Sequence, residues 1–127
     1  MKYHDYHLRG YSVENFGTRI VLDLVYDYPG TDKQESKIEF SDVACYFFQH
    51  TTGAIITDIE KFDVATLVKE EEQLLMSFAR QYGLKYWNKD ISDYVDTLQK
   101  EQFSGWRIQS AIGFDGFVIA QAINGSK

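Results

Sequence analysis

Near the start of the chain, His4-Asp5-Tyr6-His7 brings together two imidazoles and a carboxylate, the donor types that zinc, nickel or copper take. Strand geometry opposes a shared ion, because His4 and His7 project to opposite faces while Asp5 and His7 share one. A third ligand would have to come from elsewhere, with His50 or Glu39 the candidates, and no spacing requires it. The ordinary reading is a structural or solvated histidine pair, so no metal and no cofactor are expected. Glu70-Glu71-Glu72 suggests acid–base work, yet three successive residues on a helix are spread around its circumference and do not converge on one reacting atom. Asp23 and Asp27 share a strand face but lie about 13 Å apart along it, too far for a glycosidase pair acting alone. Asp58 and Glu60 also share a face and read as solvated charge.

Nucleophilic chemistry has no better footing. Cys45 precedes His50 by five residues, and an extended chain sets the two far apart on opposite faces. The sequence contains no Gly-x-Ser-x-Gly elbow, no phosphate loop, no His-Glu-x-x-His and no Cys-x-x-Cys. A non-enzymatic protein is therefore the expectation. The aromatic residues point elsewhere. Tyr and Trp exceed what one small core comfortably hides, and Tyr86-Trp87, in a link between two helices, is the candidate binding patch. His4, Asp5 and His7 are the second candidate, as the lining of a pocket.

The elements that must position these residues follow from periodicity. Over 18–28, Ile20, Leu22, Leu24 and Tyr26 alternate with Arg19, Val21, Asp23, Val25 and Asp27, which predicts a strand with one dry and one wetter face. Its charged side excludes a parallel strand buried on both faces. A weaker alternation over 4–13 gives a first strand, closed by the turn Glu14-Asn15-Phe16-Gly17. Pro29-Gly30 turns the chain after the long strand. Ile38 and Phe40 open a third strand with a slip at Ser41-Asp42, read as a bulge or as a kink between two short strands. Thr51-Thr52-Gly53 predicts another turn, and 54–62 a fourth strand.

The period then lengthens. Val64, Leu67, Val68, Leu74, Leu75, Phe78 and Tyr82 predict one helix of about twenty residues, with Asp63 as its N-cap and Gly83 as its stop. Ile91, Tyr94, Val95 and Leu98 predict a second helix, capped by Asp90 or Ser92 and ended at Gly105. Two more strands follow, joined at Gly113-Phe114-Asp115-Gly116 by a primed hairpin turn. The whole chain, 1–127, reads as a single α+β domain. It has a mainly antiparallel sheet of about six strands, order β-β-β-β-α-α-β-β, with two helices laid across the apolar face that holds Ile20, Leu22 and Leu24.

Composition narrows the function. A chain of 127 residues with 44% apolar and 16% aromatic side chains has the material for a core. Its longest apolar run, Val43 to Phe48, is far short of the roughly twenty residues that cross a bilayer. No secretory h-region precedes it, and the one cysteine forms no internal disulfide, so the bacterial cytoplasm is the expected setting. A net charge of -6 without any Lys/Arg stripe excludes nucleic acid and anionic membrane as expected partners, and permits a basic protein.

His4-Asp5 in the first strand, the closing Trp106-Arg107-Ile108-Gln109-Ser110, and the run Gly113 to Ala120 give the chain a resemblance to small uncharacterised bacterial α+β proteins. Some of these are grouped with the immunity proteins of toxin systems. The resemblance covers about half the chain, and it assigns no site residue. It implies a binding protein that inhibits a basic toxin through acidic and aromatic surface. A small-molecule pocket between sheet and helices is the alternative, and a homodimeric domain is compatible with either.

Overall fold

Alternation over 18–28 does produce the expected strand, and it buries the expected side. In a computed structural model that describes residues 3–126, Ile20, Leu22 and Leu24 are fully buried, with Tyr26 packed against them. The strand is β2 (Arg19–Tyr26). It lies between β1 (Tyr6–Glu14) and the first part of β3 (Gln34–Phe62), antiparallel to both. The tight β1–β2 connection is a short 3-10 turn at Asn15–Gly17, and β2 reaches β3 through the Pro29-Gly30 turn. Three helices follow, α1 (Val64–Glu70), α2 (Glu72–Gln81) and α3 (Ile91–Lys100), and the chain closes with β4 (Ser104–Ser126). The class is α+β, with one four-stranded antiparallel sheet.

Four strands replace the expected six or so because two of the predicted turns do not reverse the chain. β3 continues through Thr51-Thr52-Gly53, and β4 continues through Gly113-Phe114-Asp115-Gly116. The two strands pair with each other from Lys37 opposite Ser126 to Phe62 opposite Gly105. Between His50 opposite Phe114 and Ile55 opposite Ile112, β3 carries more residues than β4, so the ribbon bends there instead of ending. Gly53 (φ 77°) and Gly113 (φ 80°) supply the left-handed backbone at that bend. Gly116, expected in a hairpin turn, is instead buried under Phe48. A Cβ there would sit 2.7 Å from the Phe47 carbonyl oxygen.

The slip near Ser41-Asp42 is accommodated within one strand. Asp42 takes φ 52°, and the register against β4 shifts between Val43 and Cys45.

The helical segment also departs from expectation. Glu71 (φ -103°, ψ 20°) interrupts the predicted twenty-residue helix, leaving α1 and α2 as separate pieces. The caps are as expected: the Asp63 carboxylate accepts from Thr66 N–H at 3.3 Å and that of Asp90 from Asp93 N–H at 2.9 Å. Gly83 (φ 78°) follows α2, as a helix stop should. Gly105 has a different job from the one predicted. It lies in β4, where its missing side chain makes room for Leu67 of α1.

The largest correction concerns the dry face of β2, which no helix covers. β3 pairs with β2 through its first part and, at Ile55 and Ile56, with the start of β1, so the sheet curls round on itself. Ile20 and Leu22, beside their cross-strand neighbours Phe40 and Ile38, therefore pack together with Leu24, Ile56, Trp106 and Ile108 in an interior built from strands. The helices cover the opposite side of the β3–β4 ribbon. There Leu67, Val68, Leu75, Tyr94 and Leu98 pack on Cys45, Phe117 and Ile119. No helix among the described residues is long and apolar enough to cross a membrane.

Two cores on two sides of one ribbon should respond separately to truncation. Leu22→Ala, in the strand interior, and Leu75→Ala, under the helices, are each expected to cost about 2–5 kcal/mol. With no shared contacts, the double variant should lose close to the sum. Denaturant titration of the three variants checks this, and a strongly non-additive pair would show that the two cores are one.

Candidate functional site

The charged side of β1, β2 and β3 forms a ladder of cross-strand pairs. Arg9 donates to both carboxylate oxygens of Asp23 at 2.9 and 3.0 Å and to Glu35 at 3.0 Å. Arg19 donates to both oxygens of Glu39 at 2.8 and 3.0 Å and also holds Glu14. Hydrogen bonds from Arg9 keep Asp23 and Glu35 below the usual carboxylate range, and Arg19 does the same for Glu39. Glu14 is lowered too, first by the Ser12 hydroxyl and then by Arg19. These acids tie neighbouring strands together, and each already has a cationic or hydroxyl partner.

The Glu70-Glu71-Glu72 run is similarly occupied. Arg107, reaching from β4, donates to Glu70 at 2.9 Å and to Glu71 at 3.1 Å, and its guanidinium lies 5.8 Å from the Phe62 ring centre. Burial works against the Arg107 charge, and the bonds to Glu71 and Glu70 more than offset it. Asp58 stands opposite Gln109 in the ribbon, and Glu60 opposite Arg107.

The N-terminal candidates His4, Asp5 and His7 have separate partners. The His4 ring donates from Nδ1 to the Thr57 carbonyl at 3.1 Å, and its other nitrogen lies 3.5 Å from Asp5. His7 packs on Tyr28, with ring centres 5.2 Å apart, and the Tyr28 hydroxyl donates to the Asp5 carbonyl at 2.7 Å. His50 belongs elsewhere, sharing a 3.2 Å hydrogen bond with Tyr11 and lying near-parallel to Phe114. Among the described residues, no three His, Cys, Asp or Glu side chains are grouped to hold an ion. Cys45 is buried away from His50, and burial pushes its thiol up to about 12, so it is a poor nucleophile at neutral pH.

Tyr86 and Trp87 are half-buried. Tyr86, at φ 75°, turns its ring against Phe103 at 5.3 Å, and Trp87 packs on Tyr94 at 5.4 Å. Both thus join the core beneath the helices. The fully presented rings are two others. Phe16, at the tip of the β1–β2 connection, has 108% relative exposure, and Tyr82, at the end of α2, has 79%.

These two rings flank an open groove of about 540 Å³. Its floor is Val43 to Phe48 of β3. One wall is Phe16, Gly17 and Thr18, and the other is Phe78 with residues 82–85. Asn15 (φ 51°), Phe16 (φ 58°) and Gly17 (φ 89°) are successive left-handed residues, an unfavourable conformation for a bulky side chain. By sequence, Phe16 reads as a turn residue and Tyr82 as part of the helical stripe. The available signal was a large apolar ring in a turn that favours Gly, Asn, Asp and Ser.

The class defined by these features is an antiparallel α+β domain with a curled sheet and an aromatic groove beside its long ribbon. No family model matches the chain, and no match to a curated protein is found.

The ladder makes stability depend on acid. Asp23 has a lowered pKa in the folded chain, so its pairing stabilises above the ordinary carboxylate value and is lost as pH falls through the folded one. Asp23→Asn should melt below wild type at neutral pH, with the gap closing as pH falls below the ordinary carboxylate range. Melting curves across that range check the sign, and a gap that widened in acid would contradict it.

Proposed function

We propose that the chain is a non-enzymatic protein-binding domain that acts as an immunity-type inhibitor of a basic toxin. The observation that carries this reading is the open groove flanked by Phe16 and Tyr82. Large apolar side chains held in water, one of them on strained backbone, are costly to a domain in isolation and become useful when a partner covers them. Aromatic rings of this kind anchor interfaces by filling pockets on the other side.

Charge supports the same reading. The ladder on β1–β3 is internally matched, whereas α3 and its flanks carry Asp90, Asp93, Asp96 and Glu101 against Lys89 and Lys100. An acidic field of that kind attracts a cationic protein over several ångströms and speeds its encounter, while the rings supply the short-range affinity. The titratable groups are dispersed across separate strands and pairs, an arrangement better suited to a surface than to proton transfer.

A second reading is a small-molecule site in the same groove. It is favoured by the groove's position between the sheet and the end of α2, since ligand pockets are concave and lined mostly by apolar side chains.

Affinity capture separates the two. Immobilised wild-type chain should retain a basic protein at low salt and release it as salt is raised. The double variant Phe16→Asp, Tyr82→Ser should fold normally and retain much less. Recovery of no protein at low salt, together with a small apolar ligand that raises the melting temperature of wild type but not of the variant, would favour the small-molecule site.

A further inference from the structure

The floor of the groove is also an unpaired strand edge. β2 accompanies β3 only as far as Arg19 opposite Ser41, and Val43 N–H then donates to the Thr18 carbonyl at 2.9 Å. From Cys45 to His50, β3 is paired with β4 alone, and no other strand among the described residues is registered against that stretch. In an antiparallel pair, every second residue turns its N–H and C=O away from its partner. The edge over 44–48 therefore presents backbone donors and acceptors into the groove. Its sequence, Ala44-Cys45-Tyr46-Phe47-Phe48, has no charge and no proline, the usual protections of an exposed edge.

We propose that this edge receives an extended segment of the partner, which adds to β3 as one further antiparallel or parallel strand. The inference rests on the protein-binding reading and specifies how the partner is held. The groove selects this occupant by its shape. The edge runs between the Phe16–Thr18 tip and the end of α2, which stand on either side of it. A single extended strand is slim enough to enter. Five residues, 44–48, give about 16 Å of edge. Lys85 is the one charged side chain among the groove's lining residues. The matching segment is thus alternately apolar, with a single carboxylate as its one charge, placed to meet that ammonium. The partner's basic surface lies outside this segment and answers the acidic residues on α3.

Three blocked heptapeptides serve as probes: acetyl-Thr-Val-Asp-Val-Thr-Val-Thr-amide, and the same peptide N-methylated at its odd or at its even residues. The first should slow amide hydrogen exchange at alternate positions within 44–48. Methylation of the residues facing the edge should weaken binding by about tenfold or more, since several backbone hydrogen bonds are lost while the side chains are kept. Lys85→Glu should reverse the preference, favouring a peptide with Lys in place of Asp. Equal binding of all three peptides, or no protection at 44–48, would overturn strand addition. If the whole chain captures a basic protein while exchange at 44–48 is unchanged in that complex, the inhibitor reading stands and the strand edge falls. If the peptide adds to the edge but no basic protein is captured, the edge stands and the inhibitor reading falls.

Discussion

Pairing of β3 with β4 along almost their whole lengths is the constraint on which this structure depends. The ribbon is too long to lie flat against one layer, and its residues are apolar on both sides. Phe117, Val118, Ile119 and Ala120 are buried in succession. Val118 and Ala120 face the strand-built interior, while Phe117 and Ile119 face the helices. Such a stretch is stable only when both faces are covered. The sheet meets that demand by curling over one side and placing α1, α2 and α3 on the other. The bend at Gly53 and Gly113 makes the curl possible, because it lets one pair of strands contribute to two walls of the same interior.

Exposure of the candidate site follows from the same geometry. β3 is much longer than β2, so β2 covers only part of its edge. Beyond Ser41 the edge is left to the tip of the β1–β2 connection and to the end of α2, which stand apart and leave the groove between them. The rings of Phe16 and Tyr82 are exposed because they terminate those two walls. Backbone strain at Asn15 and Phe16 is local to the same tip, where a residue with a smaller side chain would be the easier choice.

Each of Arg9, Arg19 and Arg107 is held by two carboxylates. The first two stitch β1, β2 and β3 together across their wet face, and the third ties β4 to the α1–α2 junction. The more exposed pairs of Arg9 and Arg19 add little individually, but all three arginines fix which strands and helices lie side by side. They also account for several of the suggestive acidic residues in the sequence. Asp23, Glu70 and Glu71 are structural partners of arginine, which explains why they do not gather around a common point.

Local patterning was enough to settle several features. Alternation over 18–28 put Ile20, Leu22 and Leu24 inside and Asp23 outside. The spacing from Val64 onward marked the helices, and Asp63, Asp90 and Gly83 marked where they begin or end. The α+β class followed from these, since each depends only on neighbours within a few residues. What covers the β2 face, whether Gly116 turns the chain, why Gly105 is needed, and where Phe16 and Tyr82 point were decided by tertiary structure. A glycine in a bent ribbon and one in a hairpin look alike in sequence. An aromatic ring on a helix reads as core until another element either covers it or stops short. Those outcomes depend on contacts between residues far apart in the chain, such as Gly105 with Leu67 and Leu22 with the other strands, which local periodicity does not encode.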